Sequence, residues 1–181
     1  SVIVFGILLL NFSFMSFAKN NWSYLAGFLD GDGSIYVQLK PNQTYRFGFQ
    51  IALTVAFFQS KKEKVKIEAM KNLYGLGYLR ERKDGIIEWI IGKKEEIKKV
   101  LEKTIPFLLL KKKQAELMLK ILDLKSRIKN RQDFIFLANK IELFRELNYS
   151  KKRKRRVISP VETESRKLRD ESRPRLLYRD G

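Results

Sequence analysis

Two hydrophobic periods alternate along the middle of the chain. A helical period begins at Trp22, behind Asn20 or Asn21 as a cap, and predicts a helix to about Asp32. The period then changes to two. In SIYVQLK, Ile35, Val37 and Leu39 share one face, while Tyr36, Gln38 and Lys40 share the other. PNQT reads as a loop. From Tyr45 to Phe57 every odd position is apolar, and Arg46, Gln50 and Thr54 point the opposite way, which predicts a long strand with one buried face. SKKEKVKIEAMKNLYG predicts a helix with Val65, Ala69, Met70 and Leu73 inward, stopped near Gly75.

The pattern then repeats. GYLRER places Tyr78, Arg80 and Arg82 on one face, KDG turns the chain, and IIEWII returns as a strand. KKEEIKKVLEKTI carries Ile97, Val100, Leu101 and Ile105 on one helical stripe. Two further helices are expected near 111–122 and 132–147. The order is α-β-β-α-β-β-α followed by C-terminal helices, an α+β fold. Two hairpins with apolar inner faces predict one four-stranded antiparallel sheet with helices behind it.

The outer face of that sheet would display Tyr36, Gln38, Lys40, Arg46, Gln50, Arg80 and Arg82. An ordinary wet sheet face would also be polar. These side chains, however, are long and mostly donors, the types that read base edges in a major groove. An ordinary face would also mix in more acids.

Charge favours the second reading. The chain has 181 residues, with 38 Lys+Arg against 20 Asp+Glu, a net charge of +18. Such an excess is expected of a protein that neutralises phosphates. There is no cysteine and no histidine. This excludes disulfides, zinc knuckles, thiol nucleophiles, Ser-His-Asp chemistry and nucleases with a histidine base. Chemistry here would rest on carboxylates, Lys, Arg, Tyr, Gln and a hard metal.

The ends differ from the middle. Residues 1–19 are almost wholly apolar and lack the basic start of a secretory signal. They read as a leader or as read-through from an upstream frame, with a membrane anchor as the alternative. Residues 149–181 carry SKKRKRR from Ser150 and read as a flexible basic arm, or equally as a nuclear localisation signal. The patterned segment between these ends is expected to form one domain over 20–148.

The candidate chemistry lies in YLAGFLDGDGSIY, residues 24–36. Asp30, Asp32 and Ser34 match the first ligand positions of a calcium loop. Position six, however, is Ile35 rather than Gly, and position twelve is Pro41 rather than Glu. A tight turn would account for Gly31 and Gly33 alone. Ala26, Gly27 and Gly31 on one helix would let a second helix approach closely. The acids at its end would then need a divalent cation between themselves and phosphate.

LAGFLDGDGSI resembles the signature of the LAGLIDADG homing endonucleases, in the single-motif form encoded in organellar ribosomal-RNA introns. The similarity runs from Trp22 to Leu147 and includes KPNQTY, GLGYLRER and PFLLLKKKQAELMLKIL. It implies Asp32 as a metal-binding carboxylate, the Gly31 carbonyl as a second ligand, and Mg²⁺ as the cofactor. It implies Gln59 as the residue that positions the attacking water, and Lys111 near the scissile phosphate. A second basic residue is implied four positions after the glutamine, where this chain has Glu63. Lys64 is the favoured substitute over Lys62.

The loop residues Asn42, Thr44 and Tyr45 would join the sheet face on DNA. Ala26, Gly27 and Gly31 would form the contact of a homodimer that cuts both strands of a long pseudo-palindromic site. An organellar origin is implied, and it suits the Lys-, Ile-, Phe- and Asn-rich usage. Double-stranded DNA and a second copy are the expected partners, and no small-molecule substrate is implied. Two rival readings share the fold: an RNA-binding intron maturase, and a cleavage-dead DNA-binding module.

Overall fold

The computed structural model describes residues 21–148; the apolar N-terminal and basic C-terminal segments lie outside them. Helix α1 spans Trp22–Asp32. Its first turn is capped by Asn21, whose side-chain oxygen accepts the Tyr24 N–H at 3.1 Å. Strand β1, Gly33–Pro41, follows with no intervening loop. Gly33 has extended backbone, and its N–H bonds the Leu29 carbonyl. A Cβ there would lie 2.5–2.7 Å from Leu29 atoms, so the helix can pass directly into a strand only through glycine. The DGDG run is thus a helix end and a strand start, and not a turn.

Strand β2, Phe49–Ser60, pairs antiparallel with β1 from Gly33↔Phe57 to Pro41↔Phe49. The strand predicted from Tyr45 therefore starts four residues later. Asn42 holds the loop between them: its side-chain oxygen accepts the N–H and hydroxyl of Thr44, at 3.0 and 2.7 Å. Its own N–H bonds the Gly48 carbonyl at 2.8 Å. Phe47 leaves the sheet and stacks on Phe134 at 5.1 Å, while Tyr45 stays exposed.

A 3₁₀ turn, Lys61–Glu63, precedes α2, Lys64–Tyr74. Ile67, Met70 and Tyr74 form the buried stripe, and Val65, expected inward, is 79% exposed. Strands β3, Tyr78–Glu81, and β4, Ile86–Ile91, form the second hairpin. Its turn closes through Gly85 at φ 78°, a left-handed conformation that glycine adopts without strain. Helices α3 (Lys94–Thr104), α4 (Lys112–Arg127) and α5 (Arg131–Leu147) complete the described chain.

The sheet order is β1-β2-β4-β3, all antiparallel. Its inner face (Ile35, Val37, Ile51, Leu53, Val55, Phe57, Ile87, Trp89 and Ile91) is buried beneath the helices. Trp89 anchors this core: it stacks on Phe57 at 4.8 Å and donates Nε1–H to the Leu76 carbonyl at 2.7 Å. Truncating such a residue to Ala costs about 3–5 kcal/mol. The sheet is therefore a stiff plate with one face left for solvent, and α1 stands at the edge where β1 begins.

Candidate active site and nucleic-acid interface

The end of α1 is tied to the start of α4. The Asp30 carboxylate accepts the backbone N–H groups of Leu109, Leu110 and Lys111 at 2.7, 3.1 and 2.9 Å. The Asp30 carbonyl accepts the Lys111 ammonium at 2.5 Å. An ammonium at a helix C-terminus meets the negative end of the dipole, so this contact is favourable. Asp30 thus caps a loop of its own chain, and the contact brings Lys111 to the helix end that carries Asp32.

Asp32 is exposed and makes no hydrogen bond or ion pair among the described residues. Its carboxylate lines an open cleft of about 520 Å³ together with Tyr24 and Phe28 of α1, Gln59 at the end of β2, and Glu63 and Lys66. Gln59 is held by its own oxygen, which accepts the Ser60 N–H at 2.9 Å. No group of three or more carboxylates is assembled for a metal among the described residues. The donor set still suits a hard divalent ion, because Mg²⁺ takes one or two carboxylates and fills its remaining positions with waters and substrate phosphates. Asp32 is one unpaired oxygen donor. Gly31 lies in the last turn of α1, where carbonyls lack an intrahelical partner.

Lys64 does not line this cleft. Its ammonium bonds the Glu81 carboxylate at 2.5 Å, and Lys61 bonds the same carboxylate at 2.7 Å. Hydrogen bonds from Lys61 and then Lys64 pull the Glu81 carboxyl down to about 2. The Glu81 contact in turn raises Lys64 above its ordinary value. Lys62 uses its backbone N–H to complete the Ser60 cap and is exposed.

The outer sheet face carries Tyr36, Gln38, Lys40, Gln50 and Arg80 as expected, whereas Arg46 and Arg82 lie in the hairpin connections just beyond the strands. Tyr36, Gln38 and Lys40 on β1 stand opposite Thr54, Ala52 and Gln50 on β2, and Arg80 on β3 stands opposite Glu88 on β4. Arg46, in the first hairpin loop, is exposed with its guanidinium 5.1 Å from the Phe47 ring. Asn42 and Thr44 hold each other in that loop.

Glu88 is the residue the sequence reading missed. It is an acid on the outer sheet face, and only 5% of it is exposed. Arg80 donates to Glu88 Oε2 through Nε at 2.6 Å and Nη2 at 2.5 Å, and Arg82 reaches Oε1 at 3.5 Å. Arg82 also pairs with Asp84 at 2.6 Å. The signal was present in IIEWII, where alternation sets Glu88 opposite in facing to Trp89.

The expected helix–helix contact is changed at one residue. Ala26 is fully buried in its own core, between Leu25 and Leu29, and has no surface to offer a second chain. The outward stripe of α1 is Tyr24, Gly27 and Gly31, with Tyr24 45% exposed. A Cβ at either glycine would meet nothing within 4 Å. Leu109 and Leu110 are also exposed, beside the Asp30 cap.

In sequence and fold the chain is similar to known proteins. The LAGLIDADG endonuclease family profile matches residues 25–121. The DNA endonuclease I-CreI of Chlamydomonas reinhardtii is 38% identical over 132 residues, covering 72% of this chain and 80% of that protein. I-CvuI of Chlorella vulgaris is 33% identical over 101 residues, covering 56% of this chain and 63% of that protein. A crystal structure of the homing endonuclease I-CvuI with the I-CreI target and Mg, its DNA not cleaved, superposes with a TM-score of 0.74 at 27% identity. That match covers 83% of this chain and 96% of the other. I-CvuI has also been crystallised with its own target in the presence of Ca.

Proposed function

Because the chain belongs to the LAGLIDADG endonuclease family, we propose that it is a site-specific endonuclease that hydrolyses both strands of double-stranded DNA. The observation that carries the proposal is the unpaired Asp32 carboxylate, in one cleft with Gln59, at the helix end to which Lys111 is bound. A carboxylate left free on so basic a chain would only repel DNA, unless it served to hold a cation against it.

The divalent cation of this reading is Mg²⁺, held by Asp32 and the Gly31 carbonyl. When bound it neutralises phosphate charge and makes water more acidic. The chain does the rest. The Gln59 oxygen is occupied by Ser60, which leaves its amide N–H groups to hold a water in line with the phosphorus. Lys111, held at the Asp30 carbonyl, is the cation that meets charge building on the phosphate, and such positioned cations are worth several kcal/mol in a transition state.

The outer sheet face lies in the major groove. Gln38, Lys40, Gln50, Arg80 and Arg82 read base edges, and Arg46 and the loop of Asn42, Thr44 and Tyr45 take the flank. One chain carries one Asp32 and so serves one strand. A second copy, packed through Tyr24, Gly27 and Gly31 about a two-fold axis, supplies the other cut and sets a pseudo-palindromic target. An organellar source accords with the residue usage and with the relatives' organisms.

The test incubates the protein with duplexes randomised around the I-CreI target, with Mg²⁺ and with chelator. Sequence-selective double-strand cuts that need the metal support the proposal. Selective binding to RNA with no DNA cleavage under any metal would replace it with the maturase reading.

A further inference from the structure

The active-site cleft contains two carboxylates, Asp32 and Glu63, and one cation, Lys66. Glu63 ends the 3₁₀ turn, and Lys66 lies three residues later on α2, so their side chains share one helical face. They form an ion pair at 2.5 Å. A second carboxylate facing a phosphate backbone would weaken the complex, and this pair neutralises it where it stands. The other cation at the start of α2, Lys64, is turned to Glu81 instead.

We infer that Lys66, held in the cleft by Glu63, is the second cation placed on the scissile phosphate, acting with Lys111. The inference rests on the nuclease reading of the cleft. The Lys66 side chain is 72% exposed, so its ammonium is hydrated and mobile enough to pass from Glu63 to a phosphate oxygen. Glu63 is then a positioning residue. It keeps the long lysine stem over the cleft in the free protein and is partly released when DNA arrives. No covalent step involves either residue.

Two measurements on the same duplexes test this. The first is the salt dependence of binding in Ca²⁺ for the wild type, Lys66→Ala, Lys66→Arg and Lys64→Ala. The second is the single-turnover cleavage rate in Mg²⁺. Each phosphate contact contributes about 0.9 to the slope of log K against log salt. Lys66→Ala is expected to flatten the slope by about 0.9 per chain and to slow cleavage by at least about tenfold.

Lys66→Arg restores both values, and Lys64→Ala costs less of the slope and of the rate than Lys66→Ala does. An unchanged slope in Lys66→Ala overturns the inference, as does a larger rate loss in Lys64→Ala. Dissociation of the dimer by Lys66→Ala in sedimentation would also overturn it, by assigning Lys66 to the contact between chains. If the wild type does not cleave, a larger slope loss in Lys66→Ala than in Lys64→Ala supports the phosphate contact, and the nuclease reading alone fails.

Discussion

Asp30 holds Lys111 by both ends: its carboxylate accepts the lysine backbone N–H at 2.9 Å, and its carbonyl accepts the ammonium at 2.5 Å. The loop before α4 and the end of α1 are therefore one mechanical unit. Asp30→Asn replaces an oxygen that accepts N–H groups with an amide nitrogen that only donates. One or two of the three N–H groups are left without a partner, at about 1–3 kcal/mol each. Thermal melting is expected to fall clearly, while cleavage by the surviving folded protein drops less than in Asp32→Asn. A melting curve equal to wild type would contradict the capping role.

Arg80 and Glu88 make a second such pair on the sheet face. Glu88 is nearly buried, so its charge is tolerated only because Arg80 and Arg82 face it. Arg80→Ala is expected to relax base preference at one position in each half-site by about 1–3 kcal/mol, and also to lower stability. Glu88→Gln keeps the side chain's volume but loosens both arginines, so selectivity should fall while non-specific affinity rises. Selection from randomised duplexes reads both, and unchanged base preference in both variants would remove this pair from recognition.

Gly27 offers an unusually clean test of association. Its Cβ position is open in the single chain, and leaving glycine inside a helix relieves about 1 kcal/mol of propensity cost. Gly27→Leu should therefore leave the monomer at least as stable. A side chain in a close helix–helix contact costs about 1–3 kcal/mol per site. Sedimentation is expected to show dissociation with an unchanged or higher melting temperature. A monomer that still cuts both strands would rule out the two-chain arrangement.

Glu81 gives a pH-dependent readout. Its carboxyl is depressed from 4.5 to about 2 by Lys61 first and Lys64 second. A depressed folded-state value means that its contribution to stability is present above 4.5 and is lost as pH falls toward about 2. Carboxyl chemical shifts should place its titration near the lower value. Lys61→Ala should raise it more than Lys64→Ala does, because Lys61 is the larger cause. Titration at an ordinary carboxylate value in the wild type would break this triad.

Much of this was written locally in the chain. Asn21 and the change of period at Gly33 mark both ends of α1, and alternation assigns Tyr36, Gln38, Lys40 and Arg80 to one face before any contact is known. The misses depend on distant partners or on phase. Phe47 leaves the strand because Phe134 takes its ring and Asn42 closes the loop early. Val65 points outward because it sits roughly 140–200° around the helix from Met70 and Ile67, which face the core. Ala26 looks like a contact residue from its size alone, but the helix is oriented by Leu25 and Leu29, which carry it inward. Lys64 is drawn off by Glu81, 17 residues away, and Glu88 meets Arg80 only through hairpin register.

The central claim is that the free carboxylate at the end of α1 holds a divalent cation against DNA. Asp32→Asn tests it directly, with cleavage in Mg²⁺ and binding in Ca²⁺ and in chelator measured on one selected duplex. The Asp32 side chain has no partner to lose among the described residues, so fold and binding should survive, and metal-free binding should tighten as an uncompensated charge is removed. Cleavage should fall below detection. Wild-type cleavage by Asp32→Asn would contradict the account and leave α1 as a structural element that merely ends in acids.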